Sequence, residues 1–349
     1  MRQKQLHLQW VDAAKGIAII AVIIDHSVGI LYSSRVLSLC TYFSVTVFVY
    51  LAGITAFFSS ERHRDEKIRN ELIRKVKSII LPYIIATFFY ILVIENRWLF
   101  IEYFKHLLRF DVTSPFYFIV FFTQLIIISP YLYRIIIWTD KISGKMLQSV
   151  LVILSVGISI LCIRHTFILD VYGGGKYIFG GSYLIVYVLG EISAYYAFPL
   201  KTEKSLCKIL ISFLAICVCV MWLAKCEFKI DLLLREPFGK GLNPPGITLM
   251  AYSGCIIVFL YYLFSYIEMC NIRFVKVFYS ILCYVGRCSF YIFLYHKLVL
   301  DYFLVYLDIS NIWIKRVVFM VAMLGIPIII KVAIQKTSNV INNIRQELM

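Results

Sequence analysis

Charge is scarce in this chain. Only 16% of its 349 residues are Asp, Glu, Lys or Arg, against about 25% in a soluble globular domain. With 61% hydrophobic residues and a mean hydropathy of +0.83, that scarcity excludes a water-soluble fold. The ten cysteines form no C-x-x-C pair, so neither a disulfide framework nor a zinc site is expected. Cys217 and Cys219 stand two apart on a predicted helix and point to different faces. G-x-S-x-G, H-E-x-x-H and paired carboxylates are all missing. Internal repeats, low-complexity tracts and soluble domains are missing too. The Gly173-Gly174-Gly175 and Gly180-Gly181 stretch follows no strand and precedes no P-loop lysine, so it reads as a turn.

What remains is a single all-α membrane domain over residues 1–349, a polytopic helix bundle. A span needs about 20 largely apolar residues. Ten candidates meet or approach that length: 12–31, 36–58, 79–94, 116–136, 148–168, 179–198, 206–224, 246–266, 279–299 and 312–332. Arg2 and Lys4 resemble the start of a signal peptide, but Asp12, Lys15, Asp25 and His26 interrupt the apolar run, and a retained first span is expected. If the N-terminus is cytoplasmic, the inner loops carry twice as many Lys and Arg as the outer ones, which predicts both termini inside. The net charge of +15 then reflects cytoplasmic loops, not nucleic-acid binding. The outer stretch 225–246, ending Asn243-Pro244-Pro245-Gly246, could cap that face.

Charge inside a span costs roughly 2.5–3.5 kcal/mol at the bilayer centre, so the few ionisable residues there mark a polar site. Span one holds Asp12, Lys15, Asp25 and His26. At 100° per residue Lys15 and His26 lie about 20° apart in direction and roughly 16 Å apart in height, with Asp12 on the same side. Asp25 points away from that stripe. Either Asp12 and Lys15 simply pair at the interface and His26 makes one interhelical bond, or the stripe lines a cavity. Span nine holds Arg287, Ser289, Tyr291, His296 and Lys297. His296 falls at a depth that would let it face one cavity with His26, or it ends the span at the interface. Glu191 is expected to pair, with Arg287 or Lys15, and Gln124 to hydrogen-bond between helices. Arg74, Lys75 and Lys77 form a basic run before span three; it suits either anionic lipid or the phosphates of a cytoplasmic donor. An imidazole in a membrane cavity suits a general base acting on a hydroxyl.

The chain resembles the acyltransferase-3 family of bacterial integral-membrane O-acyltransferases, in its fucose 4-O-acetylase-like and intercellular-adhesin-modifying branch. That family opens with Asp, two residues, Arg or Lys, Gly-Ile, an apolar run and His. Asp12-Ala13-Ala14-Lys15-Gly16-Ile17 followed by His26 is similar to that opening. Phe48 to Gly53, Lys75-Val76-Lys77 before Leu81-Pro82-Tyr83, and Phe116 to Ile119 with Gln124 and Pro130 resemble its next three spans. Tyr183 to Gly190 and Gly286 to His296 resemble its sixth and penultimate ones. Asp25 stands where Gly is common, Ser44 where a Phe-His pair is common, and Ser78 where a basic residue is frequent.

The resemblance implies transfer of an acyl group, usually acetyl, from cytoplasmic acyl-CoA to a hydroxyl of a surface polysaccharide or lipid-linked glycan. It makes His26, Lys15 and Asp12 the candidate catalytic set and Arg74, Lys75 and Lys77 the candidate acyl-CoA contacts. His296, Arg287 and Glu191 become candidates for positioning substrate. Acetyl-CoA is a co-substrate; no bound cofactor, metal or nucleic-acid partner is expected, and the setting is the cell membrane. A transporter of a glycan or small polar solute on the same fold is the alternative, followed by a scaffold in a polysaccharide-synthesis complex.

Overall fold

The computed structural model describes residues 8–95, 100–143, 145–164, 178, 180–196, 205–228, 244–306 and 309–347. Gly173 to Gly175 and the loop 229–243 lie outside the described residues. Among those described, twelve α-helices follow one another. They are α1 (Gln9–Ser27), α2 (Arg35–Thr41), α3 (Ser44–Arg62), α4 (Ile68–Tyr90), α5 (Phe100–Arg109) and α6 (Tyr117–Ser143), then α7 (Lys145–Arg164), α8 (Tyr183–Tyr195), α9 (Leu206–Phe228), α10 (Ile247–Glu268), α11 (Arg273–Tyr306) and α12 (Ile312–Glu347). A π-helical turn, Ile91–Glu95, extends α4, and a 3₁₀ turn, Ser114–Phe116, leads into α6.

The described residues of the ten predicted stretches fall largely on helices, those of the second on both α2 and α3. Among the described residues, seven helical stretches are long and apolar enough to cross a membrane: Val36–Arg62, which joins α2 and α3, and those of α4, α6, α9, α10, α11 and α12. Shorter apolar stretches form α7 and α8, and α1 has 19 residues with Asp12, Lys15 and Asp25 among them. The third stretch starts earlier than its hydropathy indicates. The charged run before residue 79 is the end of α3, a turn, and the first turns of α4. Its charges stay helical because Glu71 and Lys75, four apart, neutralise each other.

Two crossings of small residues fix the centre. Helix α1 packs chiefly on α11, and α3 on α8. A Cβ on Gly16 would strike the backbone carbonyl of Leu282, and one on Gly286 would strike the carbonyl of Asp12. Gly53 and Gly190 exclude a Cβ in the same way, through the Tyr187 and Tyr50 carbonyls. Small residues let membrane helices approach until backbones touch, which is where their association energy comes from. Both pairs run parallel. Gln9 meets Cys283, Asp12 meets Gly286 and His26 meets His296 along one seam; Gly53 meets Gly190 and Phe57 meets Tyr195 along the other.

The periphery is the opposite. Only 11% of the apolar window of α9 and 17% of that of α12 is buried, against 61% for α3. Apolar faces left uncovered by protein suit lipid contact. Two helices are short: α2, whose residues fall mostly within the second predicted stretch, packs on α1, and α5, between the third and fourth stretches, packs on α4. Helix α2 is capped by Ser34, whose side chain accepts from the Leu37 N–H. Helix α5 exposes Phe100, Ile101, Phe104 and Leu108 on one face. Its other face is anchored by Tyr83, whose hydroxyl donates to the Leu107 carbonyl at 2.9 Å and whose ring stacks on Phe110 at 4.7 Å.

Candidate functional site

The seam between α1 and α11 opens into two cavities, one toward each end. The larger, about 420 Å³, lies at the end where α1 begins. Asp12 and Lys15 of α1, Thr55 and Ser59 of α3, Lys75 and Ser78 of α4, and Arg287 and Ser289 of α11 give it a polar floor. Phe118, Phe122, Ile126, Phe290 and Phe293 make the rest apolar. Three cations thus face one carboxylate.

Each cation is held differently. Lys15 donates to the Thr55 hydroxyl at 3.3 Å. That hydroxyl in turn donates back to its own helix, at the Leu51 and Ala52 carbonyls. Arg287 lies 3.7 Å from Asp12 and over the Tyr284 ring, and its side chain is 44% exposed. Lys75 is buried. It pairs with Glu71 at 2.8 Å and donates to the hydroxyls of Ser60 at 2.8 Å and Ser129 at 3.3 Å. Ser60 closes the ring by donating to Glu71 at 2.6 Å. A buried ion pair survives only when hydrogen bonds meet its remaining donors and acceptors, and this one has them.

The smaller cavity, about 110 Å³, is lined by Asp25, His26, Ser44, Ser114, Pro115 and Tyr117. Asp25 does not enter the α1 stripe. It accepts from Ser38 at 3.3 Å and Thr41 at 3.2 Å and so ties α2 to the end of α1. Besides Asp25, the charges acting on His26 come from Lys297 and Asp301, themselves paired at 2.9 Å.

The ring centroid of His296 is 5.1 Å from that of His26. His296 is fully buried and lines neither cavity. Its Nδ1 lies 2.8 Å from the Phe293 carbonyl and 3.1 Å from that of Ile292. A carbonyl only accepts, so the proton sits on Nδ1 and Nε2 keeps its lone pair.

The predicted residues thus separate into groups. The structure brings Asp12, Lys15, Lys75 and Arg287 to one cavity and His26 to the other, with His296 behind His26. It does not keep Arg74, Lys75 and Lys77 together. Successive helix positions turn by 100°, so Arg74 leaves to pair with Glu66 at 3.1 Å and Lys77 is exposed, while Lys75 turns inward. Glu191 is fully buried and meets neither Arg287 nor Lys15; the charges acting on it are those of Lys75 and Glu71. Sequence reasoning overlooked Thr55, Glu71, Ser60, Ser129 and Tyr117. Of these only Glu71 carried a signal, its four-residue spacing from Lys75.

Residues 8–334 match the family model described as an acyltransferase domain, acyltransferase-3. No curated protein and no solved structure matches the chain.

Proposed function

We propose that this chain, which belongs to the acyltransferase-3 family and is a multi-pass membrane acyltransferase, moves a short acyl group from cytoplasmic acyl-CoA to a hydroxyl of a surface glycan or lipid-linked glycan. The observation that carries the reading is the pair of cavities along the α1–α11 seam. One is lined by three cations, and the other holds an imidazole. The anionic donor belongs with Lys15, Lys75 and Arg287. The hydroxyl belongs with His26.

In the reaction the hydroxyl oxygen bonds to the thioester carbonyl carbon while His26 takes its proton. The C–S bond then breaks, the proton passes from the imidazolium to the leaving thiolate, and an ester and free CoA result. His26 supplies general-base help, worth typically about 10²–10⁴-fold. Lys15 and Arg287 hold phosphate by charge, with Arg287 reached from the open side of its cavity and Asp12 orienting its guanidinium. The Lys/Arg distribution supports a cytoplasmic position for the cation-lined cavity. Acetyl is the acyl group expected.

Acetyl content of the surface glycan, compared in cells with and without the chain, tests the reading. Labelled acetyl-CoA fed to membrane vesicles follows the group directly. Label on glycan is the expected result. A chain that leaves glycan unlabelled but moves a polar solute across the vesicle wall would instead be a carrier.

A further inference from the structure

The two cavities are separate pockets that share part of their lining. Three residues, Val22, Val45 and Phe293, belong to the lining of both and form the wall between them. Val22 stands one helical turn before His26, so the wall crosses the seam just below the imidazole. Val22 and Phe293 are 4% and 8% exposed. The Phe293 ring packs on Phe118 at 4.9 Å and on His296 at 6.0 Å.

We infer that Val22, Val45 and Phe293 form an apolar gate that admits the acyl end of the donor to His26 and sets how large that acyl group is. The inference rests on the donor–acceptor reading above. Three observations carry it. The cations lie on one side of the wall and His26 on the other, so a donor held by its phosphates reaches the imidazole only through the wall. The wall is made wholly of hydrocarbon, which rejects the phosphates and water while accepting an acyl chain; a buried charge or unpaired polar group would be costly there. The cavity beyond the wall is the smaller of the two, which favours a short acyl group. Phe293 is the movable part. Its neighbours Phe118 and His296 are rings, against which it can swing, whereas β-branched Val22 and Val45 are stiff. A closed apolar wall also keeps the site from leaking water and ions when no donor is bound.

Two measurements on the full chain in sealed vesicles test the gate. The first feeds acetyl-CoA and butyryl-CoA and reads label on the native glycan. One methylene in an apolar pocket discriminates about 10–200-fold. Phe293→Ala, or Phe293→Leu if the alanine variant does not fold, raises the butyryl-to-acetyl ratio by about tenfold. Val22→Phe lowers transfer while acetyl-CoA still binds. The second measurement needs no transfer. In a chain whose own cysteines are replaced, Ser44→Cys lies beyond the wall. A small membrane-impermeant thiol reagent applied on the Lys15 side leaves it unlabelled. Adding Phe293→Ala or Phe293→Leu removes that protection. An unchanged acyl ratio, or equal labelling with and without the Phe293 change, overturns the gate. Wild-type vesicles that transfer no acyl group from either donor would overturn the donor reading instead, and the labelling result would still decide whether the wall is closed.

Discussion

The two ends of the α1–α11 seam share the same pair of helices and the same parallel packing, yet they are built for different tasks. The Lys15 end is wide, and its charges are arranged in pairs and hydroxyl rings: Lys15 with Thr55, Asp12 with Arg287, Lys75 with Glu71, Ser60 and Ser129. The His26 end is narrow and is lined in part by the 3₁₀ turn Ser114–Phe116 and the start of α6. There the polar groups are an imidazole, a carboxylate committed to α2, and hydroxyls. A seam held by glycine contacts between backbones separates the tasks without separating the helices. The lesson is that the distance between two polar groups on one helix is a functional quantity. Under the proposed reading, eleven residues, about 16 Å, would put a donor's charge and its reactive end at opposite ends of one stripe.

Several substitutions would break or sharpen that contrast. The largest effect is expected at the narrow end. His26→Ala should lower acyl transfer by about 10²–10⁴-fold, measured as label on glycan, with membrane insertion and acyl-CoA binding retained. At the wide end, Lys75→Met strands the Glu71 carboxylate in a buried site. That should cost about 3–5 kcal/mol of stability, read as a lowered melting temperature in detergent. If the melting temperature does not move, the ring of Lys75, Glu71 and the two serines is not holding α4 in place. Lys15→Gln removes a charged donor worth about 1.5–3 kcal/mol, so KM for acyl-CoA should rise about 10–100-fold. An equal rise in KM for the acceptor would blur the contrast between the two ends. Gly286→Ala forces a methyl against the Asp12 carbonyl and should destabilise by about 1–3 kcal/mol, with the crossing of α1 and α11 forced apart. The smallest effect is expected at Lys77. It is exposed and outside both cavities, so Lys77→Ala should leave KM for acyl-CoA nearly unchanged while Lys15→Gln raises it.

Much of this architecture was legible in the sequence. Apolar runs located every long helix, and the placement of Asp12, Lys15 and His26 in the first of them singled out the seam. The 3.6-residue repeat placed Asp12, Lys15 and His26 on one stripe; in the structure Asp12 and Lys15 line one cavity and His26 the other. What was not legible came from helix-to-helix placement. Glu191 looked like a partner for Arg287 or Lys15, and only the packing of α8 on α3 and α6 decided that Lys75 and Glu71 act on it. Arg74, Lys75 and Lys77 looked like one basic patch because a run in sequence is not a face on a helix. Val22 and Phe293 carry no signal at all. They are apolar residues in apolar spans, and their place between two cavities exists only once α1, α3 and α11 meet. Asp25 stood off the stripe for a reason that lies in α2, whose residues the hydropathy merged into the second stretch.

The central claim is that donor and acceptor meet from opposite faces of the membrane. Sealed vesicles of each orientation, given labelled acetyl-CoA only in the outer medium, test it most directly. Inside-out vesicles should label their glycan, and right-side-out vesicles should not until they are permeabilised. Equal labelling by both orientations, or labelling by right-side-out vesicles alone, would contradict it.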